Sequence, residues 1–245
     1  MSLKHAIAHA GRASLAAALV LGCCSGAAAA TLSENFDTVI PAGWTVVNNS
    51  VPLGPLNWGQ GDPDAFPAQA GAANSYAAVN YQSGSSVANL SDWLITPTLS
   101  FNNGDTLSFF TRTVDGVFAP DRLEVRFSNI GGTNVGTTAS SVGSFDMLLL
   151  SINPDLTLTG YPEAWTQYSY TFSGLAGATN GAVGFRYYVT NGGPLGANSD
   201  YIGLDTVRIT AGAAAVPEPA SWLLLAAGLA ACGVLRARAK RDNMR

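Results

Sequence analysis

The stretch RLEVRFS, from Arg122 to Ser128, alternates apolar and polar side chains position by position. Successive side chains of a β-strand point to opposite sides, so this pattern predicts a strand with its apolar side chains facing a core. Similar alternation occurs in Trp165 to Phe172 and in Ala182 to Thr190. We therefore expect half-buried antiparallel strands, each with one apolar face and one solvated face.

Eight segments between Thr31 and Val216 have strand character, and none has the period of a convincing helix. The predicted strands are Gly43 to Asn48, Tyr76 to Tyr81, Asp92 to Thr96, Thr106 to Arg112, Arg122 to Ser128, Trp165 to Phe172, Ala182 to Thr190 and Tyr201 to Thr210. Loops rich in Gly, Pro, Asn and Ser separate them. This organisation predicts an all-β fold, an antiparallel β-sandwich of jelly-roll type.

The first thirty residues have the features of a secretory signal peptide. Two basic residues precede the apolar run 15–21, and three alanines at 28–30 follow it. The order of charged, apolar and small residues predicts cleavage after Ala30. Lipoprotein processing at Cys23 is the alternative, because residues 20–23 loosely resemble a lipobox.

Residues 216–245 combine three unlike elements. Pro217, Glu218 and Pro219 are followed by the apolar run from Ser221 to Leu235 and then by five basic residues. As a hydrophobic helix the run would reach about 22 Å, less than the roughly 30 Å of a bilayer's hydrocarbon core. The basic cluster would hold its end on the cytoplasmic side. An ordinary C-terminal transmembrane anchor is one interpretation.

The same tail resembles the PEP-CTERM sorting signal of Gram-negative bacteria, in which these three elements occur in this order. The resemblance implies that an exosortase, a membrane cysteine protease, cleaves near Pro217, Glu218 and Pro219. The precursor would be held transiently in the inner membrane by residues 221–235. The cleaved protein would then reach the cell surface or the exopolysaccharide matrix.

Between signal and tail, we expect one domain over residues 31–210 and a short linker at 211–215. The domain contains no Cys, His or Lys. Disulfides, a Ser-His-Asp triad, a Cys nucleophile, a Schiff-base Lys and a His-bearing zinc site are therefore excluded. Chemistry by carboxylates alone, as in a glycosidase, and a hard cation stay open.

The domain is strongly acidic, with five arginines against fourteen Asp and Glu residues and a net charge of −9. The basic signal and tail hide this in the whole-chain value of −4. Nucleic acid is not an expected partner, because neutralising phosphates requires a basic face.

Four short motifs within the domain resemble the choice-of-anchor J domain, which is related to cleaved-adhesin and MAM-like jelly rolls. The resemblance spans nearly the whole domain and implies a surface-associated β-sandwich. Relatives often have two adjacent acidic residues in the last strand, where this sequence has Leu204, Asp205 and Thr206, and this departure weakens any metal assignment carried over from them. The motifs, in order, are Glu34 to Asp37, Pro41 to Trp44, Ser91 to Pro97 and Ile202 to Val207.

Asp205 has the same parity as Val207 and Ile209, so the strand pattern would place its carboxylate against the core. Such a group must be paired, turned outward by a bulge or bound to a cation. If the first and last strands are neighbours, Glu34 and Asp37 lie beside it, and the three carboxylates would form a structural calcium site. A strand bulge or an Arg-paired Asp205 is the alternative.

Trp58 lies in a loop rich in Gly and Pro and is the candidate for stacking on a sugar ring, with an apolar plug under the loop as the alternative. We expect an exported, non-catalytic surface or matrix protein, with adhesion as its suggested role. The alternative is a carbohydrate-binding module that recognises extracellular polysaccharide. A carboxylate-only glycosidase is a third class, with no particular acid pair indicated.

Overall fold

The alternating stretch forms a β-strand over Leu123–Ser128, and its side chains Leu123, Val125 and Phe127 are fully buried. A computed structural model of the protein describes residues 31–212, together with Leu229 and Arg236. Within these residues the chain forms a sandwich of two antiparallel sheets. No helix in this part of the chain is long and apolar enough to cross a membrane.

Thirteen strands and one short 3-10 helix, Tyr81–Ser83, make up the regular structure of residues 31–212. In chain order the strands are β1 Leu32–Glu34, β2 Thr45–Asn48, β3 Val51–Leu53, β4 Gly59–Gln60, β5 Ala77–Asn80, β6 Gly84–Ile95, β7 Leu99–Phe101, β8 Thr106–Thr113, β9 Leu123–Ser128, β10 Met147–Ile152, β11 Thr166–Thr171, β12 Thr179–Gly192 and β13 Tyr201–Thr210.

The first sheet has the order β11-β8-β13-β5-β4, with β1 also paired to β13. The second has the order β10-β9-β12-β6-β2, with β3 on β6 and β7 on β12. Strand β13 lies in the middle of the first sheet. Its first half pairs with β5, where Ile202 is opposite Val79, and its second half pairs with β1, where Ile209 is opposite Leu32. The first and last strands are therefore neighbours, which is the condition under which the sequence would place Glu34 and Asp37 beside Asp205.

The core between the sheets is built largely from aromatic side chains. Phe101 of β7 contacts Phe127 of β9 and Phe172, with ring centroids 4.9 and 4.7 Å apart. Phe172 directly follows β11 of the opposite sheet, so this cluster joins the two layers. Burying each such side chain contributes about 1.5–3 kcal/mol relative to exposing it.

The outer face of the second sheet is covered, so the expected solvated face is wrong here. Arg186, on the side of β12 opposite the core, is 1% exposed, and Trp93 of β6 is completely buried. Val135 and Phe145, from the loop between β9 and β10, pack on Trp93 in a separate hydrophobic cluster. A loop distant in sequence supplies this cover, and strand periodicity carries no information about it.

Arg186 fastens that loop to the sheet. Its guanidinium donates to Glu124 Oε2 at 3.0 Å and to Ser91 Oγ at 3.0 Å, and it also reaches the backbone carbonyl of Ala139 in the loop. The same group stacks on Tyr188, with its carbon 3.7 Å from the ring centroid. A buried arginine is tolerated because it is paired with a carboxylate and hydrogen-bonded.

The loop between β4 and β5 covers part of the first sheet in the same way. Phe66 and Tyr76 pack against each other with ring centroids 5.1 Å apart, and Trp165 contacts both. The Arg112 guanidinium lies 4.4 Å from the centre of the Phe66 ring. Of the three strands whose alternation predicted a solvated face, β9, β11 and β12, only β11 keeps it, and Gln167 is exposed there.

All eight predicted strands are present, and β13 has the predicted bounds. The prediction of an all-β sandwich is confirmed. The structure adds β1, β3, β4, β7 and β10. The predicted signal peptide (1–30), most of the linker and the sorting tail (216–245) lie outside the continuously described residues.

Candidate functional site

Asp205 sits at a β-bulge in β13. The pairing with β8 shifts register between Asp205 and Arg208, and Thr206 has a positive φ of 50°. Leu204 before the bulge and Val207 after it both face the core. The bulge therefore turns Asp205 to the outer face, which is the alternative that the sequence left open, and the expected core-facing parity is wrong.

The Asp205 carboxylate binds the loop that covers the first sheet. Its Oδ2 accepts the backbone N–H groups of Gln69 and Ala70 at 2.9 and 3.1 Å, and its Oδ1 accepts the N–H of Thr206 at 2.5 Å. Burial raises the pKa of Asp205 to about 6, although these backbone donors favour the charged form. The Asp205 carboxylate therefore holds the loop between β4 and β5 against the first sheet through these hydrogen bonds.

The other two residues of the predicted calcium site lie nearby but are not assembled with Asp205. Glu34 is opposite Val207, and its Oε1 accepts the N–H of Phe36 at 2.8 Å. Asp37 lies beside Gly71. A Cβ atom built on Gly71 would be 3.3 Å from Oδ1 of Asp37. Nowhere in the described chain do three acidic, His or Cys side chains gather as a metal site.

The donor set around Asp205 does not fit a calcium ion. Both of its oxygens already face N–H hydrogens, which repel a cation. Thr206 donates its hydroxyl to Gln69 Oε1 at 2.7 Å and supplies no second carboxylate. Calcium binding by Glu34, Asp37 and Asp205 stays a prediction that this geometry does not favour.

Trp58 is not available for stacking on a sugar. Its side chain is 3% exposed and belongs to the core cluster, and its Nε1 donates to the Asp92 carbonyl at 3.1 Å. The ring fills space under its loop, which is the plug that the sequence allowed as the alternative. Trp58 therefore does not form part of a polysaccharide-binding surface.

Asp121 is a buried acidic residue that joins three segments at one end of the sandwich. The sequence predicted no structural role for it. Its Oδ1 accepts the Tyr187 hydroxyl at 2.5 Å and the N–H of Asp200 at 2.8 Å, and its Oδ2 accepts the Thr113 hydroxyl at 2.7 Å. Burial raises the pKa of Asp121 to about 6, against the effect of these donors. The network fixes the loops around it.

These loops form an open cleft of about 400 Å³, called here the end cleft. Tyr81 comes from the 3-10 helix, Phe118 and Ala119 come from the loop between β8 and β9, and the rest come from the loop between β12 and β13. The lining residues are Tyr81, Phe118, Ala119, Gly193, Pro194, Gly196, Ala197, Ser199 and Asp200.

The loop between β12 and β13 is held rigidly by its own hydrogen bonds. Gly193 has a φ of +87°, and a Cβ there would lie 2.4 Å from the Ser86 carbonyl oxygen, so only glycine fits. Its N–H donates to Ser199 Oγ at 2.9 Å, while the N–H of Leu195 donates to Ser86 at 3.1 Å. The cleft is therefore formed before any ligand arrives.

Asp200 is the one ionisable acid lining the end cleft. The residue is 9% exposed, and its Oδ2 is buried without a hydrogen-bond partner among the described residues. Burial raises the pKa of Asp200 above its usual value. By contrast, Phe118 is 80% exposed. Sequence reasoning singled out neither residue. The available signals were an aromatic residue in the short loop between Gly116 and Pro120 and the polar loop that ends at Asp200.

Solved structures with a similar architecture include cleaved adhesin domains. The K1 cleaved adhesin domain of Lys-gingipain (Kgp) from Porphyromonas gingivalis W83 is 25% identical, with a TM-score of 0.53, over 75% of this chain and 99% of that domain. The K3 domain of the same protein is 23% identical, with a TM-score of 0.53, over 74% and 98%. The fold is thus a β-sandwich like that of the cleaved adhesin domains.

At the C-terminus, a family model described as the PEP-CTERM protein-sorting motif matches residues 215–241. This chain carries that motif, and the prediction from Pro217, Glu218, Pro219 and the residues after them is confirmed. The motif indicates an exported, cell-surface protein. No curated protein matches the chain.

Proposed function

We propose that this chain is a non-catalytic protein of the cell surface or exopolysaccharide matrix, delivered by an exosortase and adhesive in its role. The sorting motif at residues 215–241 is the observation that carries the proposal. A cleaved adhesin domain, similar over 75% of this chain, supports the adhesive part.

The residue inventory and the placement of the acids support a non-catalytic role. Residues 31–210 lack Cys, His and Lys, which removes most nucleophiles and general bases. Asp121 and Asp205 have raised pKa values, but each is fully buried and accepts structural hydrogen bonds. A glycosidase needs two carboxyl groups facing one substrate bond, and the end cleft has one lining acid.

The test of sorting is the intact mass of the surface form in cells with and without exosortase. Processing near the motif predicts a surface mass that lacks residues 221–245 and a precursor that keeps them when the protease is missing. Glu218→Ala should cause the same retention, while Asp242→Ala, beyond the matched residues, should not. A wild-type surface mass that includes residues 221–245 would overturn the proposal.

Recognition of extracellular polysaccharide is the second candidate function. Trp58 does not support it, because its ring is buried. The end cleft does support it, since it brings two partly exposed aromatic rings beside a carboxyl group.

A further inference from the structure

The end cleft has an apolar wall that the fold does not use. Phe118 and Tyr81 are 80% and 37% exposed, and both line the cleft. Leu195, on the same loop as the cleft's floor, is 74% exposed. Large exposed apolar side chains that share one site are a feature of ligand-binding grooves and interaction surfaces.

The polar part of the cleft also lacks a partner. Leaving a buried acceptor unsatisfied costs about 1–3 kcal/mol. Asp200 Oδ2 is buried without a donor among the described residues, so the carboxyl gains a hydrogen bond if it turns toward a donor in the cleft that Asp200 lines. A hydroxyl group can supply that donor. Ser199 Oγ accepts the N–H of Gly193 and keeps its hydroxyl hydrogen as a donor, so Asp200 supplies the carboxyl acceptor on this side.

Charge narrows the class of ligand. The lining residues include one carboxyl and no basic side chain, and residues 31–210 carry a net charge of −9. Phosphate, sulfate or uronate groups would be repelled. A ligand with hydroxyl donors, an apolar face and no negative charge would match both the aromatic side chains and the Asp200 carboxyl group of the cleft.

A pyranose ring has those properties. Its axial C–H groups form an apolar face that packs on an aromatic ring, and its equatorial hydroxyls donate at the edge. A volume of about 400 Å³ accommodates one or two sugar units. The rigid loop from Gly193 to Asp200 reduces the entropy lost on binding.

We propose that the end cleft binds a neutral sugar unit of an extracellular polysaccharide, with Phe118 and Tyr81 packing on the ring and Asp200 accepting a hydroxyl hydrogen. This inference rests on the exported location in the proposed function and assigns its binding site. A peptide with apolar side chains is the competing occupant, and the experiment separates the two.

The experiment uses affinity electrophoresis of the full chain through gels containing soluble neutral polymers, namely β-glucan, xylan, galactan and mannan. Alginate and polygalacturonate serve as acidic polymers. We expect retardation by at least one neutral polymer and none by the acidic pair. Phe118→Ala and Asp200→Asn should each weaken binding at least tenfold, and Tyr81→Ala should weaken it by a smaller factor.

Ile130→Ala is the matched control, because Ile130 is 75% exposed on a different loop and should leave binding unchanged. Circular dichroism confirms that each variant is folded. Absence of retardation in every neutral polymer, or retardation that Phe118→Ala and Asp200→Asn leave intact, would overturn the assignment. Binding of an apolar peptide instead of any sugar would do the same.

Failure here and failure of sorting are distinguishable. A protein whose surface form lacks residues 221–245 but ignores all neutral polymers refutes only the sugar site. A protein that binds sugar through Phe118 but keeps its tail at the surface refutes only the sorting proposal.

Discussion

The hydroxyl of Tyr187 donates a 2.5 Å hydrogen bond to Oδ1 of Asp121, and both side chains are fully buried. Tyr187 belongs to the second sheet, whereas Asp121 precedes β9 and also binds the N–H of Asp200. This pair therefore connects a central strand to the floor of the end cleft.

Replacing Tyr187 by Phe should lower the free energy of unfolding by about 1–2 kcal/mol. The change leaves Oδ1 of the buried Asp121 with one donor fewer while the aromatic packing is kept. Urea denaturation measures the loss. Tyr170→Phe is the control, because Tyr170 is only half-buried, and an equal loss in both variants would contradict this account.

Stability should fall as the pH rises from about 4 to 6. Burial raises the pKa values of Asp121 and Asp205 to about 6 in the folded protein, above the ordinary value of 3.8 that applies to the unfolded chain. The folded state therefore binds more protons in this window, and each group contributes up to about 3 kcal/mol to the decline. Above pH 6 these two groups add no further slope.

Urea midpoints at pH 4.5 and pH 7 check this behaviour. In Asp205→Asn the difference between the two midpoints should shrink, because one of the two titrating groups is gone. A wild-type midpoint that is higher at pH 7 than at pH 4.5 would be inconsistent with the raised pKa values.

Asp92→Asn should stabilise the protein at neutral pH. Asp92 is completely buried in β6, and neither carboxyl oxygen has a hydrogen-bond partner among the described residues. Burial raises its pKa well above the usual range, so unfolding at neutral pH is favoured by release of its proton.

The gain in free energy of unfolding caused by Asp92→Asn should increase by up to about 1.4 kcal/mol per pH unit above pH 4 and should vanish near pH 3.5. Thermal melting across pH 3.5 to 7.5 measures it. Asp155→Asn, at an exposed position, should show little effect at any pH. A benefit of equal size at pH 4 and pH 7 would argue against a buried ionisation.

Arg186→Lys should destabilise the domain by about 3 kcal/mol. Lysine cannot donate at once to Ser91, Glu124 and the Ala139 carbonyl as the guanidinium does, and it cannot stack flat on Tyr188. The covering loop should also loosen, which limited chymotrypsin digestion near Phe145 would detect.

The control for that variant is Arg208→Lys, because Arg208 is exposed and bonds only Ser33 Oγ among the described residues. Equal melting temperatures and equal digestion rates for Arg186→Lys and the wild type would show that the arginine does not hold the loop.

Excess EDTA should leave the melting temperature unchanged. The N–H groups of Gln69, Ala70 and Thr206 already occupy the Asp205 oxygens, and Glu34 and Asp37 do not complete a cage with it. Differential scanning calorimetry with EDTA and with added calcium measures this. A drop of several degrees in EDTA, restored by calcium, would instead support the calcium site.

The strands could be predicted from the sequence where apolar and polar side chains alternate with a period of two residues. Leu123, Val125 and Phe127 face the core as their alternation indicates, and β13 begins and ends where the sequence placed it. The added strands β1, β3, β4 and β7 have only two or three residues, too few for a period to show. In β10, the leucine run has no alternation, and the ladder shifts register between Leu148 and Leu150.

The site was less predictable because its parts come from distant segments. The bulge at Asp205 reverses the inward parity that regular β-structure would give, and only the pairing with β8 reveals it. Burial of Trp58 and exposure of Phe118 depend on which loop covers which face. Likewise, the solvated face expected for β12 is lost because residues 129–146 fold across Arg186.

Strand β13 is placed to carry force in a protein that is sorted through its C-terminus. It begins at Tyr201, beside the end cleft, and ends at Thr210, a few residues before the sorting motif. Ten residues of strand span about 30 Å, so the cleft and the exit of the chain lie at opposite ends of the sheet. A ligand pulling on the cleft against a C-terminal tether would load β13 along its axis, where its ladders with β1, β5 and β8 resist together in shear.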